Sequence, residues 1–163
     1  MHTVTMGLLQ QMPIFGAIDE EALSFLLDPV QSITVPKGAY FFRENDPADC
    51  MYVLESGSVA VVKQWDGREM LLRHLDAGDC FGEMALLDLF PRSASVRALT
   101  ECRAIAIGPD HLYRLFEHDA RQFAVIQMNI GREMSRRLRD ADDQLFRATM
   151  GEKQSTETAF HAI

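Results

Sequence analysis

Hydrophobic and polar positions follow three successive textures along this 163-residue chain. Near the start, Leu23, Leu26 and Leu27 recur at helical spacing. Asp19 can cap that helix, Ile18 can staple onto Leu23, and Asp28-Pro29 ends it. The apolar run Leu8 to Phe15 precedes it, broken by Pro13. From Val30 to Ile107 the runs shorten and alternate: Ser32–Val35, Tyr40–Phe42, Met51–Leu54, Val59–Val62, Met70–Leu72, Ser95–Leu99 and Ala104–Ile107. Between them stand turn formers such as Pro36-Lys37-Gly38, Asn45-Asp46-Pro47, Ser56-Gly57-Ser58, Asp66-Gly67 and Ala77-Gly78-Asp79. Strands broken by turns every eight to twelve residues or so predict an antiparallel roll or sandwich. After Gly108-Pro109 the helical period returns. Asp110 can cap a helix through Leu112, Leu115 and Phe116, and a longer helix follows from Ala120 to Ala148. Its stripe is Phe123, Ile126, Ile130, Met134, Leu138, Ala141 and Leu145.

The predicted fold class is mainly β with flanking helices, an antiparallel, jelly-roll-like β-roll. Its parts are an N-terminal helical segment (1–29), the roll (30–108), C-terminal helices (109–148) and a loose polar tail (149–163). The length suits one domain, and a hydrophobic fraction of 47% with 25% charged residues is ordinary for a globular chain. A formal net charge of −8 weighs against general nucleic-acid affinity. No apolar run reaches about 18 residues and no basic-then-apolar signal opens the chain, so cytoplasm is the expected location and no membrane is expected as a partner. Cys50, Cys80 and Cys102 are odd in number and far apart, which fits buried free thiols.

Candidate chemistry gathers in Phe81 to Val96. Gly82 lets backbone approach a ligand closely, and Glu83 to Leu87 has the composition of a short helical turn whose first N–H groups suit an anion. Pro91 closes the connection, and Arg92 offers a planar fork for two phosphate oxygens. Glu83 would repel a bare phosphate. It fits if Arg92 offsets the charge and the carboxylate accepts a sugar hydroxyl, which together describe a nucleotide. Taken alone, the two residues fit an ion pair flanking a tight turn better than a nucleotide site. No catalytic residue is expected: Ser93 and Ser95 have no His nearby in sequence. Only His74 of the five His lies in the strand region, too few for the metal site of a cupin-like roll, so no metal or cofactor is expected.

Phe81-Gly82-Glu83-Met84-Ala85-Leu86, followed by Pro91-Arg92-Ser93-Ala94, resembles the phosphate-binding cassette of the cyclic nucleotide-binding domains. These occur in the catabolite activator family, cyclic-nucleotide-dependent kinases and gated channels. Lys37-Gly38, Gly57-Ser58-Val59 and Gly78-Asp79 resemble the same family's glycine framework, with Asn45 where the family usually has Gly. The resemblance implies a non-catalytic regulatory module for a cyclic nucleotide, cAMP favoured over cGMP because Ser93 follows Arg92. It implies phosphate contacts near Gly82, Met84, Ala85, Arg92, Ser93 and Ala94, a ribose contact from Glu83, and a wall from Leu72. Met134-Ser135-Arg136-Arg137-Leu138 resembles the activator's long helix, which directs Arg137 toward the phosphate and Glu83. On that match Asp142 stands where the activator touches the base; it can accept from adenine or guanine, or belong to a solvated face with Asp140 and Asp143. The long helix implies a homodimer seam, the alternative being packing on the chain's own roll. About fifteen residues follow Ala148, too few for the helix-turn-helix of the activator, so direct DNA binding is not expected. Output then needs an effector protein that the sequence does not identify. The remaining alternatives are a roll that has lost its ligand and the sensor half of a longer transcription regulator.

Overall fold

The computed structural model describes the backbone of residues 3–88 and 90–160 and the side chains of 6–88 and 90–151. Leu89 of the cassette, and the side chains of the expected tail beyond Gly151, lie outside the described residues. In chain order the elements are α1 (Thr3–Gln10), a 3-10 turn (Pro13–Phe15), α2 (Glu20–Leu27), β1 (Ser32–Val35), β2 (Tyr40–Phe42), β3 (Met51–Ser56), β4 (Ser58–Trp65) and β5 (Arg68–Asp76). Then come β6 (Cys80–Phe81), a second 3-10 turn (Glu83–Leu86), β7 (Ser95–Ala98), β8 (Cys102–Ile107), α3 (Pro109–His118) and α4 (Ala120–Phe160).

The strands form two four-stranded antiparallel sheets, ordered β1-β8-β3-β6 and β2-β7-β4-β5. Together with the flanking helices this is the antiparallel β-roll that the alternation predicts. Val35, Leu54, Val59, Leu75, Phe81, Val96 and Ala98 fill the space between the sheets. The other side of β3 and β8 is also buried: Met51, Val53, Ile105 and Ile107 pack on Ile14, Phe15, Leu23, Leu26, Leu112, Leu115, Ile126 and Ile130 of the helical segments. Burial on both faces is why β3 and β8 read as nearly unbroken apolar runs.

Asp19 stands at the N-cap of α2 without capping it. Its carboxylate accepts from Gln122 Nε2 at 2.6 Å and its own N–H donates to Gln122 Oε1 at 3.1 Å. The two-bond amide partner on α4 outcompetes the local cap. Asn129, buried about two turns further along the same face, donates from Nδ2 to the carbonyls of Ile14 (3.1 Å) and Gly16 (2.7 Å). Two side-chain amides therefore bolt the first half of α4 to the N-terminal segment. Asp110 is not the cap of α3 either: Gly108 is, its N–H donating to His111 Nδ1 at 2.9 Å. Pro109 at the first helical position moves the start two residues upstream.

α4 also runs past Ala148, where the polar tail was expected, and continues through Phe160. No Pro interrupts that stretch, and helix propagates readily from a formed segment. The apolar stripe divides along its length. Ile126 and Ile130 are buried, whereas Leu138, Leu145 and Phe146 stand in solvent. No helix among the described residues is long and apolar enough to cross a membrane.

Asn129→Ala leaves two carbonyls of the N-terminal segment without their donor, so it should cost about 1–3 kcal/mol in urea unfolding. A loss below about 0.5 kcal/mol, the range of an ordinary surface change, would mean that the amide does not hold the segment.

Candidate functional site

The cassette turn is set by Gly82. Its φ of 76° is left-handed, and a Cβ there would stand 2.6 Å from Arg92 Nη1. Glycine lets the chain swing from β6 into the 3-10 turn while the guanidinium lies against it. The Ala85 N–H closes the turn on the Gly82 carbonyl at 3.1 Å. It is therefore engaged within the protein, and the N–H groups of Glu83 and Met84 are the ones left at the turn's start. Asn45 takes the left-handed conformation at φ 72°, as its place in the glycine framework requires. Its N–H donates to the Arg92 carbonyl at 2.8 Å, and Arg92 N–H donates to the Asp46 carbonyl at 2.9 Å, which fixes the cassette's far end.

Between the turn, β5 and α4 lies a cavity of about 580 Å³, within the range of small-molecule sites. Leu72, Gly82, Glu83, Met84, Ala85, Arg92, Ser93, Ala94 and Arg137 all line it. Asp142 does not. It is exposed on α4, with its neighbours Asp140 and Asp143 also exposed, which fits the solvated-face reading. Gln144, two residues on, faces the cavity instead, as do Arg73, Asp88 and Phe90. Sequence reasoning missed these. For Arg73 the available signal was a charge inside an alternating strand.

Glu83 is 4% exposed and its Oε1 accepts from Arg137 Nη1. Arg137 also donates from Nε to Glu133 Oε1 at 3.1 Å. Burial works to lower the Arg137 pKa, but Glu83, Cys80 and Glu133 around it turn the net shift upward, so the guanidinium stays charged. Glu83 Oε2 is buried with no hydrogen-bond partner. Arg92 is 5% exposed and mostly inward-directed. Nη1 donates to the carbonyls of Cys50 (2.7 Å) and Gly82 (3.4 Å), Nη2 meets Asp49 Oδ1 at 3.2 Å, and the group lies 4.0 Å over the Phe42 ring. Arg92 Nε is the second buried polar atom without a partner. The fork that the sequence offers for two phosphate oxygens is thus largely held by protein groups, because Asp49 supplies a local anion. Cys80 beneath the turn is a buried thiol whose pKa burial pushes up to about 12. Among the described residues, no group of three or more His, Cys, Asp or Glu is placed to hold a metal ion.

The chain belongs to the cyclic nucleotide-binding domain family, whose model matches residues 32–119, more than half of it. It is 37% identical over 107 residues to a cAMP-dependent protein kinase regulatory subunit of Emericella nidulans, covering 66% of this chain and 26% of that protein. To a CRP-like cAMP-activated global transcriptional regulator of Mycobacterium tuberculosis it is 32% identical over 139 residues, 85% of this chain and 60% of the regulator. The chain thus spans about a quarter and three fifths of these relatives. Among solved structures, the regulatory domain of Toxoplasma gondii PKA with cAMP superposes with a TM-score of 0.65 at 29% identity, covering 69% of this chain and 43% of that one.

Gly82→Ala combines an unfavourable φ with a clash against Arg92. It should lower stability by at least about 1 kcal/mol in thermal unfolding, and a wild-type transition would show that the turn tolerates a side chain.

Proposed function

We propose that this chain is a non-catalytic sensor of a cyclic nucleotide, with cAMP favoured over cGMP. The observation that carries this reading is a pair of buried, unpartnered atoms, an acceptor at Glu83 Oε2 and a donor at Arg92 Nε, on two residues that line one cavity. A buried polar atom without a partner costs about 1–3 kcal/mol, which a ligand bearing a hydroxyl and an anionic oxygen would recover. A ribose cyclic phosphate carries both. The names of the kinase and activator relatives, and Ser93 after Arg92, favour cAMP.

In this reading the phosphate meets the N–H groups of Glu83 and Met84, the Arg92 guanidinium and the polar edge of Ser93-Ala94. Glu83 accepts the 2′-hydroxyl, and Leu72 walls the sugar and base. Arg137 already ties α4 to Glu83, so a ligand at Glu83 acts on the helix directly. The cassette turn moves inward and α3 and α4 re-pack over the base. Moving a population from 1:99 to 99:1 takes about 5.5 kcal/mol of preference for one state. A micromolar ligand supplies about 8 kcal/mol in all, so the signal lies within its means. The exposed Leu138, Leu145 and Phe146 make the outer half of α4 the seam of a homodimer, and an effector protein receives the output.

Arg92→Lys should weaken cAMP binding about tenfold or more in calorimetry, since a point charge cannot replace the fork; unchanged affinity would remove Arg92 from the site. Glu83→Gln should penalise cAMP more than its 2′-deoxy analogue, and equal losses would make Glu83 purely structural. The seam is tested by sedimentation of the full chain at tens of micromolar, where Leu138→Glu with Leu145→Glu should convert dimer to monomer. A wild-type monomer would contradict it.

A further inference from the structure

We infer that a second, smaller cavity, between the N-terminal segment, β5 and α4, is a binding site of its own, for a small monocarboxylate with a compact apolar body. The site is independent of the nucleotide reading. Its volume is about 180 Å³, and about 150 Å³ is enough to hold benzene. Met12, Pro13 and Ile14 wall it from the N-terminal segment and Leu75 from β5, with Cys80 at the turn into β6. That thiol is buried and protonated at neutral pH, so it adds no charge.

Apolar walls alone would suit any small hydrocarbon, and the charges beside them make the choice. Arg73, Leu75 and Arg137 line both this cavity and the larger one, so they form the partition between the two. Glu133 is fully engaged, its Oε1 accepting from Arg137 Nε and its Oε2 from Arg136 Nη2. Asp79 turns Oδ2 back onto the Asp76 N–H at 2.9 Å. Arg137 spends Nη1 on Glu83, which leaves Nη2 as its unused arm. The Arg73 guanidinium makes neither a hydrogen bond nor an ion pair among the described residues. An exposed arginine without a partner is ordinary by itself. Here it stands with a second guanidinium arm at an apolar hollow, and only Asp79 Oδ1 remains to oppose an anion. Two carboxylate oxygens match such a fork of donors, while the body of the ligand fills the apolar end. Because Arg137 also pairs with Glu83, an occupant touches the group that holds α4 to the cassette turn.

The test uses benzoate with the full chain at pH 7, without nucleotide, and reads the carbon-13 methyl signals of the methionines. Met12 lines only the small cavity, whereas Met84 and Met134 line only the large one. Millimolar benzoate should move the Met12 signal, assigned with Met12→Leu, and leave Met84 and Met134 in place. Benzamide and benzylamine have a similar shape without the negative charge, and should bind about tenfold or more weakly. Arg73→Gln should weaken benzoate by about tenfold or more, with the other methionine signals reporting that the roll is intact. A Met12 signal unmoved at tens of millimolar would overturn the inference. So would movement of Met84 and Met134 in its place, which would put benzoate in the larger cavity. Equal binding of benzamide or benzylamine, or full benzoate binding by Arg73→Gln, would overturn it too. None of these results bears on the nucleotide reading, which is decided by the cAMP titrations.

Discussion

A carboxylate buried on the cassette turn makes this site depend on a helix distant in sequence. Glu83 is almost wholly enclosed, and the charge that makes its burial tolerable is Arg137 of α4. Removing one partner from such a pair costs about 3–5 kcal/mol because the other is left uncompensated. Arg137 is partly exposed, with 26% of its side chain accessible, so the lower end applies. The pair therefore fixes where α4 passes the turn, and so gives the cavity its shape. It consumes only one oxygen of the carboxylate. The other is buried without a hydrogen-bond partner, an arrangement that a purely structural ion pair has no need of.

The rest of the molecule keeps that helix in place without freezing all of it. Gln122 and Asn129 lock the first half of α4 to the N-terminal segment, and that segment rests on the doubly buried β3 and β8. Beyond Met134 the helix has few apolar neighbours of its own, and Leu138 and Leu145 are exposed. Between the anchored half and the free half sits the Glu83–Arg137 contact. A ligand that competes for Glu83, or that closes over it, acts where the helix passes from one regime to the other. At the other end of the cassette, Asp49 pairs with Arg92 Nη2.

Much of this was legible in the chain. Short apolar or alternating runs between turn formers located seven of the strands, because each presents at least one face to a core. They missed β6, Cys80-Phe81, since two residues are too short to show a period and pair only because Tyr52 and Val53 lie alongside. Asp19 does stand at the N-cap of α2, but its carboxylate is taken by Gln122 across the fold, and His111 with Pro109 moves the cap of α3 from Asp110 to Gly108. The end of α4 was set too early because polar composition says little about whether a helix already under way will stop. Within the site, the cassette residues could be named because their spacing is local. Arg137 came from the likeness of its helix to the activator's. Asp142 lies off the cavity and Gln144 on it, because which side of a long helix meets a cavity depends on its exact path. Arg73 was overlooked because a strict period of two puts it on the face opposite Leu72, and a bulge in the β4–β5 ladder accompanies the placement of both at the cavity.

The claim that joins turn, helix and ligand is best tested by hydrogen–deuterium exchange of the full chain with and without saturating cAMP. The account predicts slowed exchange in two separate stretches, the cassette around 82–94 and α4 around 133–145, while β1 and β8 stay as they were. Slowing at the cassette alone would break the link to the helix, and no change anywhere would contradict the account altogether.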